Sequence, residues 1–303
     1  MRRKIILNII IIFSSMTFPY KIFITPSQEL FYFIKEKSFL SENIKFVSLS
    51  ISQPFIDILD SRKTEGFIEN DLKGNLNYIL PDRNYEGYLH EKFIIFNNKS
   101  VLFGTGNFTS GSIFEDINLF IYSEDIKVVN LFLKEFKNFE SGKFGKDKEI
   151  INRNVFTKEF GKAKLVTGPS EKIYNAVKDF ILSTKKYLYV YTFSFTDSRI
   201  AYLIEKLSSK SNIKIEIYAD DWNLENINIL RYLKGIDLKF IRDRKKNMHL
   251  KVLINEKGVL IGSYNLTYRA REKNDEYIFV IFNDGIKEEI LRKIEKSLQK
   301  YQR

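Results

Sequence analysis

The chain has only two histidines in 303 residues, and they stand at matching places. The first lies in Tyr88-Leu89-His90-Glu91-Lys92-Phe93-Ile94-Ile95-Phe96, followed by Gly104-Thr105-Gly106-Asn107. The second lies in Met248-His249-Leu250-Lys251-Val252-Leu253-Ile254, followed by Gly262-Ser263-Tyr264-Asn265. His90 precedes Asn107 by 17 residues and His249 precedes Asn265 by 16. Alternate residues of a strand share a face, so His90 is expected to point with Lys92, and His249 with Lys251. A neutral imidazole is a nucleophile, its protonated form a general acid, and Lys a fixed cation for phosphate oxygens. Brought face to face, the two copies supply one His to attack and one to protonate a leaving group. Two Lys and two Asn then surround an anion. Such a set suits cleavage of a phosphodiester through a phosphohistidine, with neither metal nor cofactor. A lone His in a strand is usually structural. Two copies holding every His of the chain, each with a matched downstream Asn, point to a site instead.

The doublet resembles the phospholipase D superfamily, whose mark is His-x-Lys-(x)4-Asp followed by Gly-Ser-x-Asn, present in two halves. The resemblance covers nearly the whole chain after residue 20. It implies an α/β fold of two similar halves, each a mixed sheet flanked by helices, with one active site at their interface. It also implies catalytic roles for His90, Lys92, His249 and Lys251, and phosphate contacts from Asn107, Asn265, Thr105 and Ser263. The motif Asp is replaced by Asn97 in the first copy and Glu256 in the second, and Thr105 stands for Ser. The family often carries an acid that orients the catalytic His. Counting 11 residues past the motif Asn gives Glu276 in the second copy and Asn118 in the first, with Glu115 and Asp116 just before it. Asn holds an imidazole tautomer but does not stabilise an imidazolium as a carboxylate does, so the His90 half is expected to be the less orthodox one. By resemblance His90 is the nucleophile and His249 the acid. The carboxylate at Glu276 argues for the reverse, and the sequence leaves the roles open.

The elements that must position these residues repeat as well. Pro26-Ser27 and Pro169-Ser170 each open a serine-capped helix, followed by strands at Ile44 to Ile51 and Tyr187 to Phe195. Further on the pattern predicts a helix over Asp197 to Leu207, a strand over Ile213 to Tyr218, a helix over Leu224 to Leu233 and a strand over Ile236 to Ile241. Phe93 to Phe96 and Val252 to Ile254 read as strands buried on both faces. The first half is shorter before its motif: Pro26 to His90 spans 64 residues, Pro169 to His249 spans 80. The stretch Ser61 to Tyr88 therefore reads as having lost most of one helix and gained loop. Arg83, Tyr85 and Tyr88 there are solvated loop residues first and substrate contacts second. The polar, glycine-bearing run 141–163 is the expected linker between a first half at 21–140 and a second at 164–303. Ile290, Leu291, Ile294 and Leu298 make one face of a closing amphipathic helix, matched by Ile126 to Phe139.

Met1-Arg2-Arg3-Lys4 and the apolar Ile5 to Phe13 read as an N-terminal signal within residues 1–20, with an uncleaved anchor as the alternative. The expected location is accordingly exported: secreted, periplasmic or on the cell envelope. Cysteine is absent, which excludes a disulfide framework and a thiolate metal site. The net charge of +11 implies an anionic partner, phospholipid or nucleic acid, and does not choose between them. The 27 Phe and 17 Tyr fall mostly in apolar runs and read as core. Three functions follow: phospholipase D-type hydrolysis of phospholipid headgroups at a membrane surface, an exported nuclease, or a polyanion-binding protein with a decayed site. Transfer to an alcohol, as in cardiolipin synthesis, uses the same intermediate. It ranks lower because the sequence shows no paired N-terminal membrane helices. Oligomeric state is not legible.

Overall fold

Each half begins with a strand and a helix whose start is written in the sequence. In the computed structural model, which describes residues 20–59, 61–69, 76–210, 212–225, 229–243 and 246–299, Ser27 and Ser170 accept hydrogen bonds from the backbone N–H of Leu30 and Ile173. These bonds cap orphan donors of the first turn. The first half runs β1 (Tyr20–Ile24), α1 (Gln28–Leu40), β2 (Ile44–Ser48), α2 (Phe55–Ile58), β3 (Thr64–Ile68) and β4 (Ile79–Pro81). It continues with β5 (Phe93–Phe96), β6 (Ser100–Gly104), α3 (Ser110–Phe114), β7 (Leu119–Ser123) and α4 (Ile126–Glu140). The second runs β8 (Asn152–Thr157), β9 (Gly161–Gly168), α5 (Glu171–Leu182), β10 (Tyr187–Thr192), α6 (Ser198–Ser208), β11 (Lys214–Asp220) and α7 (Trp222–Glu225). It ends with β12 (Asp237–Ile241), β13 (Lys251–Asn255), β14 (Gly258–Gly262), α8 (Tyr268–Glu272), β15 (Glu276–Phe282) and α9 (Asp284–Leu298).

Among the described residues the strands form two mixed sheets with one shared order. The first is β1-β7-β6-β5-β2-β3-β4; the second, read the other way, is β8-β9-β15-β14-β13-β10-β11-β12. In each, three strands pair in parallel (β2, β3, β4 and β10, β11, β12) and the motif strand, β5 or β13, lies antiparallel beside them. This is the expected α/β fold of two similar halves. The motif strands are buried on both faces. Ile94 and Phe96 pack outward under α1, while Phe93 and Ile95 join a core shared by both sheets. In that shared core Phe103 lies 5.0 Å from Phe279, and Phe132 lies 5.4 Å from Tyr277, centroid to centroid. Aromatic contacts therefore hold the halves together. The closing helix α9 buries Ile286, Ile290, Ile294 and Leu298 in the same layer, as α4 does Val128, Phe132 and Phe136.

Three expectations are corrected. The stretch Ser61 to Tyr88 keeps two strands, β3 and β4, where loop was expected; a helix is indeed mostly lost, α2 having four residues where α6 has eleven. Gly66, which reads as loop, is a strand residue whose Cβ would meet the Phe46 carbonyl oxygen at 2.5 Å. The helix expected over Leu224 to Leu233 is α7 and a 3-10 turn at Ile229–Tyr232; residues 226–228 lie outside the described ones. The run 141–163 holds all of β8 and the start of β9, and its sparse apolar residues Phe144, Ile151 and Phe160 enter the shared core. The signal expected at 1–20 lies outside the described residues except for Tyr20, which opens β1 opposite Ser123. Among the described residues no helix is long and apolar enough to cross a membrane.

Candidate active site

The residues just before each motif strand cross to the other half. Leu89 bridges Asp275, with His90 N–H donating to the Asp275 carbonyl at 3.0 Å and Asp275 N–H to that of Tyr88 at 2.8 Å. In the second copy Met248 bridges Ile117, with His249 N–H donating to the Ile117 carbonyl at 2.9 Å and Ile117 N–H to that of Asn247 at 2.8 Å. Each histidine is thereby laid beside the strand that carries the other half's orienting residue. His90 Nδ1 is 2.9 Å from the Glu276 carboxylate, and His249 Nδ1 is 3.0 Å from Asn118 Oδ1.

This exchange corrects the expected pairing. Glu276 serves His90 and Asn118 serves His249, because the lead-in bridges run between halves and not within them. The argument that Glu276 makes His249 the nucleophile falls with it. Thr105 and Ser263, expected on phosphate, are fully buried and hold the orienting residues instead. Ser263 Oγ donates to Glu276 and accepts from Tyr277 N–H. Thr105 Oγ1 donates to Asn118 Oδ1 at 3.0 Å and accepts from Leu119 N–H. Each hydroxyl has one proton and has spent it. Asp116 orients neither imidazole: its carboxylate accepts from the backbone and side chain of Asn247.

Donors decide the tautomers. Ser263 Oγ–H and Asn274 Nδ2–H both donate to Glu276, so its carboxylate is an acceptor and His90 carries its proton on Nδ1. Asn118 Nδ2 donates to the Ser112 carbonyl at 3.0 Å, so its oxygen faces His249 and fixes the same tautomer there. In both rings Nε2 is left for chemistry. Burial, then Lys92 and Lys251, hold His90 well below the usual imidazole range. Burial, then Lys251, Lys92 and His90, do the same to His249. Burial pushes Glu276 up to about 8, against the pull of Lys92, Ser263 and Asn274. Burial also lowers Lys92 to about 7 and Lys251 well below its usual value. Lys92 and Lys251 thus share one buried pocket with two neutral imidazoles, where a bound anion would favour their protonated forms. The ammonium groups donate to the His90 and His249 carbonyls, as their shared strand face requires.

Asn107 and Asn265 each bury a side-chain oxygen that has no partner. A buried amide left incomplete in both copies fits a ligand-facing group. The departures at the motif Asp are structural. Asn97 Oδ1 accepts from the N–H of Glu42 and Asn43, and Glu256 from that of Lys185 and Lys186, each at the entry to β2 or β10. Of the loop candidates, Tyr88 stacks under the Arg269 guanidinium at 3.9 Å, Tyr85 is exposed, and Arg83 lines a surface pocket with Lys146 and Lys273.

Sequence reasoning missed two groups. The Tyr277 hydroxyl reaches across the halves, accepting from Gly104 N–H at 2.9 Å and facing the Lys92 carbonyl at 3.1 Å. Glu91 and Asp275, neighbours of His90 and Glu276, are buried around Lys148. The visible signal was a Glu inside the first motif where the second has Leu250.

Two crossed His-x-Lys lead-ins on paired mixed sheets thus build one site from both halves. Residues 177–300 match the family model described as "Cardiolipin synthase, PLD-like domain", and the chain as a whole has a phospholipase D-like fold of two halves. Among solved structures it is similar to the phosphatidylserine synthase of Haemophilus influenzae Rd KW20, with TM-score 0.68, 16% identity, and 93% of this chain and 87% of that chain covered. It is also similar to the polyphosphate kinase of Porphyromonas gingivalis, with TM-score 0.65, 11% identity and 92% of this chain covered; it spans about half of that longer protein, 47%. A phospholipase D family member, Nuc from Salmonella typhimurium, aligns over 44% of this chain and 91% of its own, with TM-score 0.41 and 24% identity. No curated protein matches the chain by sequence.

Proposed function

We propose that the chain is a phosphodiesterase that works through a phosphohistidine at His90, with phospholipid headgroup esters as substrate. The observation that carries the role assignment is the cross-half pair of His90 Nδ1 and Glu276 at 2.9 Å. A carboxylate balances the positive charge that forms on the ring during attack, which an amide does not. His90 Nε2 forms a bond to phosphorus as the bond to the leaving oxygen breaks. His249, paired only with Asn118, gives its Nε2 proton to that oxygen. Burial, then Lys251 and Lys92, disfavour a protonated His249, and a bound phosphate anion offsets the two lysine charges. In the second step His249 takes a proton from water, the water oxygen bonds to phosphorus, and the bond to His90 breaks. Replacing water by an alcohol gives transfer in place of hydrolysis.

The lipid reading is supported by the description of the matched family and by the fold shared with a phosphatidylserine synthase across 93% of the chain. A second reading is a nuclease, which the charge of +11 suits as it suits an anionic lipid surface. An exported location stays part of the proposal, on the strength of the basic and apolar N-terminus. The test is purified protein in EDTA, given phospholipid vesicles with and without an alcohol acceptor, and single- and double-stranded DNA, with His249→Ala as control. Headgroup release or exchange lost in the variant supports the proposal. DNA cleavage without headgroup release replaces it with the nuclease.

A further inference from the structure

Behind the first histidine lies a charge cluster that the reaction above does not use. Lys148 Nζ is 2.8 Å from Glu91 and 3.0 Å from Asp275, and it also contacts Glu135. All four side chains are at most 1% exposed. Buried charge is costly, and one ammonium among three carboxylates does not balance. Burial accordingly pushes Glu91 well up and Asp275 up to about 6, and the second oxygen of Glu91 has no partner. Such a cluster is a poor way to gain stability. Its location suggests another use. Glu91 stands between His90 and Lys92, and Asp275 stands next to Glu276. With alternate residues facing opposite ways, Lys148 grips the two catalytic segments from behind. Asp275 is fixed further by the Gly145 N–H at 2.9 Å and by the Asn84 amide at 2.9 Å. At the matching positions the second copy has Leu250 and Ile117, both apolar and buried.

We infer that Lys148, supplied by the segment joining the halves, is a positioning residue that holds His90 against Glu276 by clamping Glu91 to Asp275. The inference rests on the proposed role of His90. It makes the inter-half segment part of the catalytic apparatus: the segment contributes no reacting group and sets the distance between two that come from different halves. Without the clamp the His90–Glu276 pair loosens while the His249–Asn118 pair, which has no ionic backing, stays as it is.

Because the chain has two histidines, untagged protein labelled with 15N-histidine gives two ring systems, and His249→Ala assigns them. Wild type should show a far-downfield Nδ1 proton for His90, held by Glu276. In Lys148→Met that proton should be lost, with the His249 signals unmoved. On bis(p-nitrophenyl) phosphate kcat should fall roughly 10- to 100-fold with KM changed less than about threefold. Lys148→Arg, which keeps the cation, should recover part of both. Lys148→Met/Glu91→Gln/Glu135→Gln removes two of the three carboxylates left uncompensated, Asp275 keeping its bonds from Gly145 N–H and Asn84, and covers the case in which the single variant fails to fold; it should lose the same proton. A folded variant with the wild-type His90 signal and kcat overturns the inference, as does one in which both rings change alike. If wild type turns over no diester, the function reading fails, and the His90 proton alone decides this inference.

Discussion

Behind His90 the chain places Glu91 and Asp275 around the Lys148 ammonium; behind His249, at the same two places, it puts Leu250 and Ile117. In front, the first ring meets a carboxylate and the second an amide. The lead-in bridges, the hydroxyl that fixes each orienting residue and the sheet order are shared by both halves. One plan, used twice, thus yields two electrostatically different rings. The charged one suits a group that must carry a phosphoryl and a positive charge. The neutral one suits a group that must give up a proton readily, since nothing beside it stabilises the imidazolium. On the proposed mechanism this asymmetry divides the labour between the two rings.

The largest effect expected is the loss of either ring: His90→Ala and His249→Ala should each cut steady-state hydrolysis of a phospholipid by about four orders of magnitude, measured as headgroup release. Wild-type-like turnover in either variant would end the shared-site account. The orienting residues should sort unequally. Glu276→Gln should cost near a hundredfold in kcat and Asn118→Ala nearer tenfold, so equal losses would argue that the two rings do the same work. The pH profile should follow the first ring. The rate needs an ionised Glu276 and so falls as pH drops through about 8, while it needs a protonated Lys92 and so falls as pH rises through about 7. A narrow bell centred at about 7.5 results, and Glu276→Gln should remove its acidic limb. Tyr277→Phe is the smallest change. Losing the bonds to Gly104 and Lys92 should lower stability by about 1 kcal/mol in a denaturant titration and leave kcat within about threefold.

Much of this was legible in the chain. The doubled spacing located both rings, both lysines and the two asparagines, and serine caps and strand alternation gave the order of elements. What misled was locality. Counting 11 residues from Asn265 finds Glu276, but nothing in the count says that Leu89 bridges Asp275 and carries His90, not His249, to that carboxylate. Pairing between halves is a long-range fact, set by shared burial of residues such as Phe103 and Phe279. Thr105 and Ser263 look like phosphate ligands because a hydroxyl in a glycine turn usually faces solvent; Gly104 and Gly262 instead let β7 and β15 approach so closely that the hydroxyl is enclosed. A Cβ at those positions would meet the carbonyl oxygens of Leu119 and Tyr277 at 2.3 and 2.1 Å. Lys148 escaped notice for the opposite reason, since a lysine in a polar run reads as solvated until three buried carboxylates are found around it.

The central claim is that His90 carries the phosphoryl group, and it is tested by finding the phosphorylated residue. A diester with a p-nitrophenolate leaving group needs no proton from His249 to form the intermediate, but hydrolysis of the intermediate needs His249 as base. His249→Ala protein mixed with bis(p-nitrophenyl) phosphate, quenched and digested near neutral pH, should therefore release close to one nitrophenolate per chain. Its modified peptide should contain His90, and His90→Ala should yield no adduct. A phosphoryl group on His249 in wild-type protein, or an adduct that survives in His90→Ala, would contradict the account.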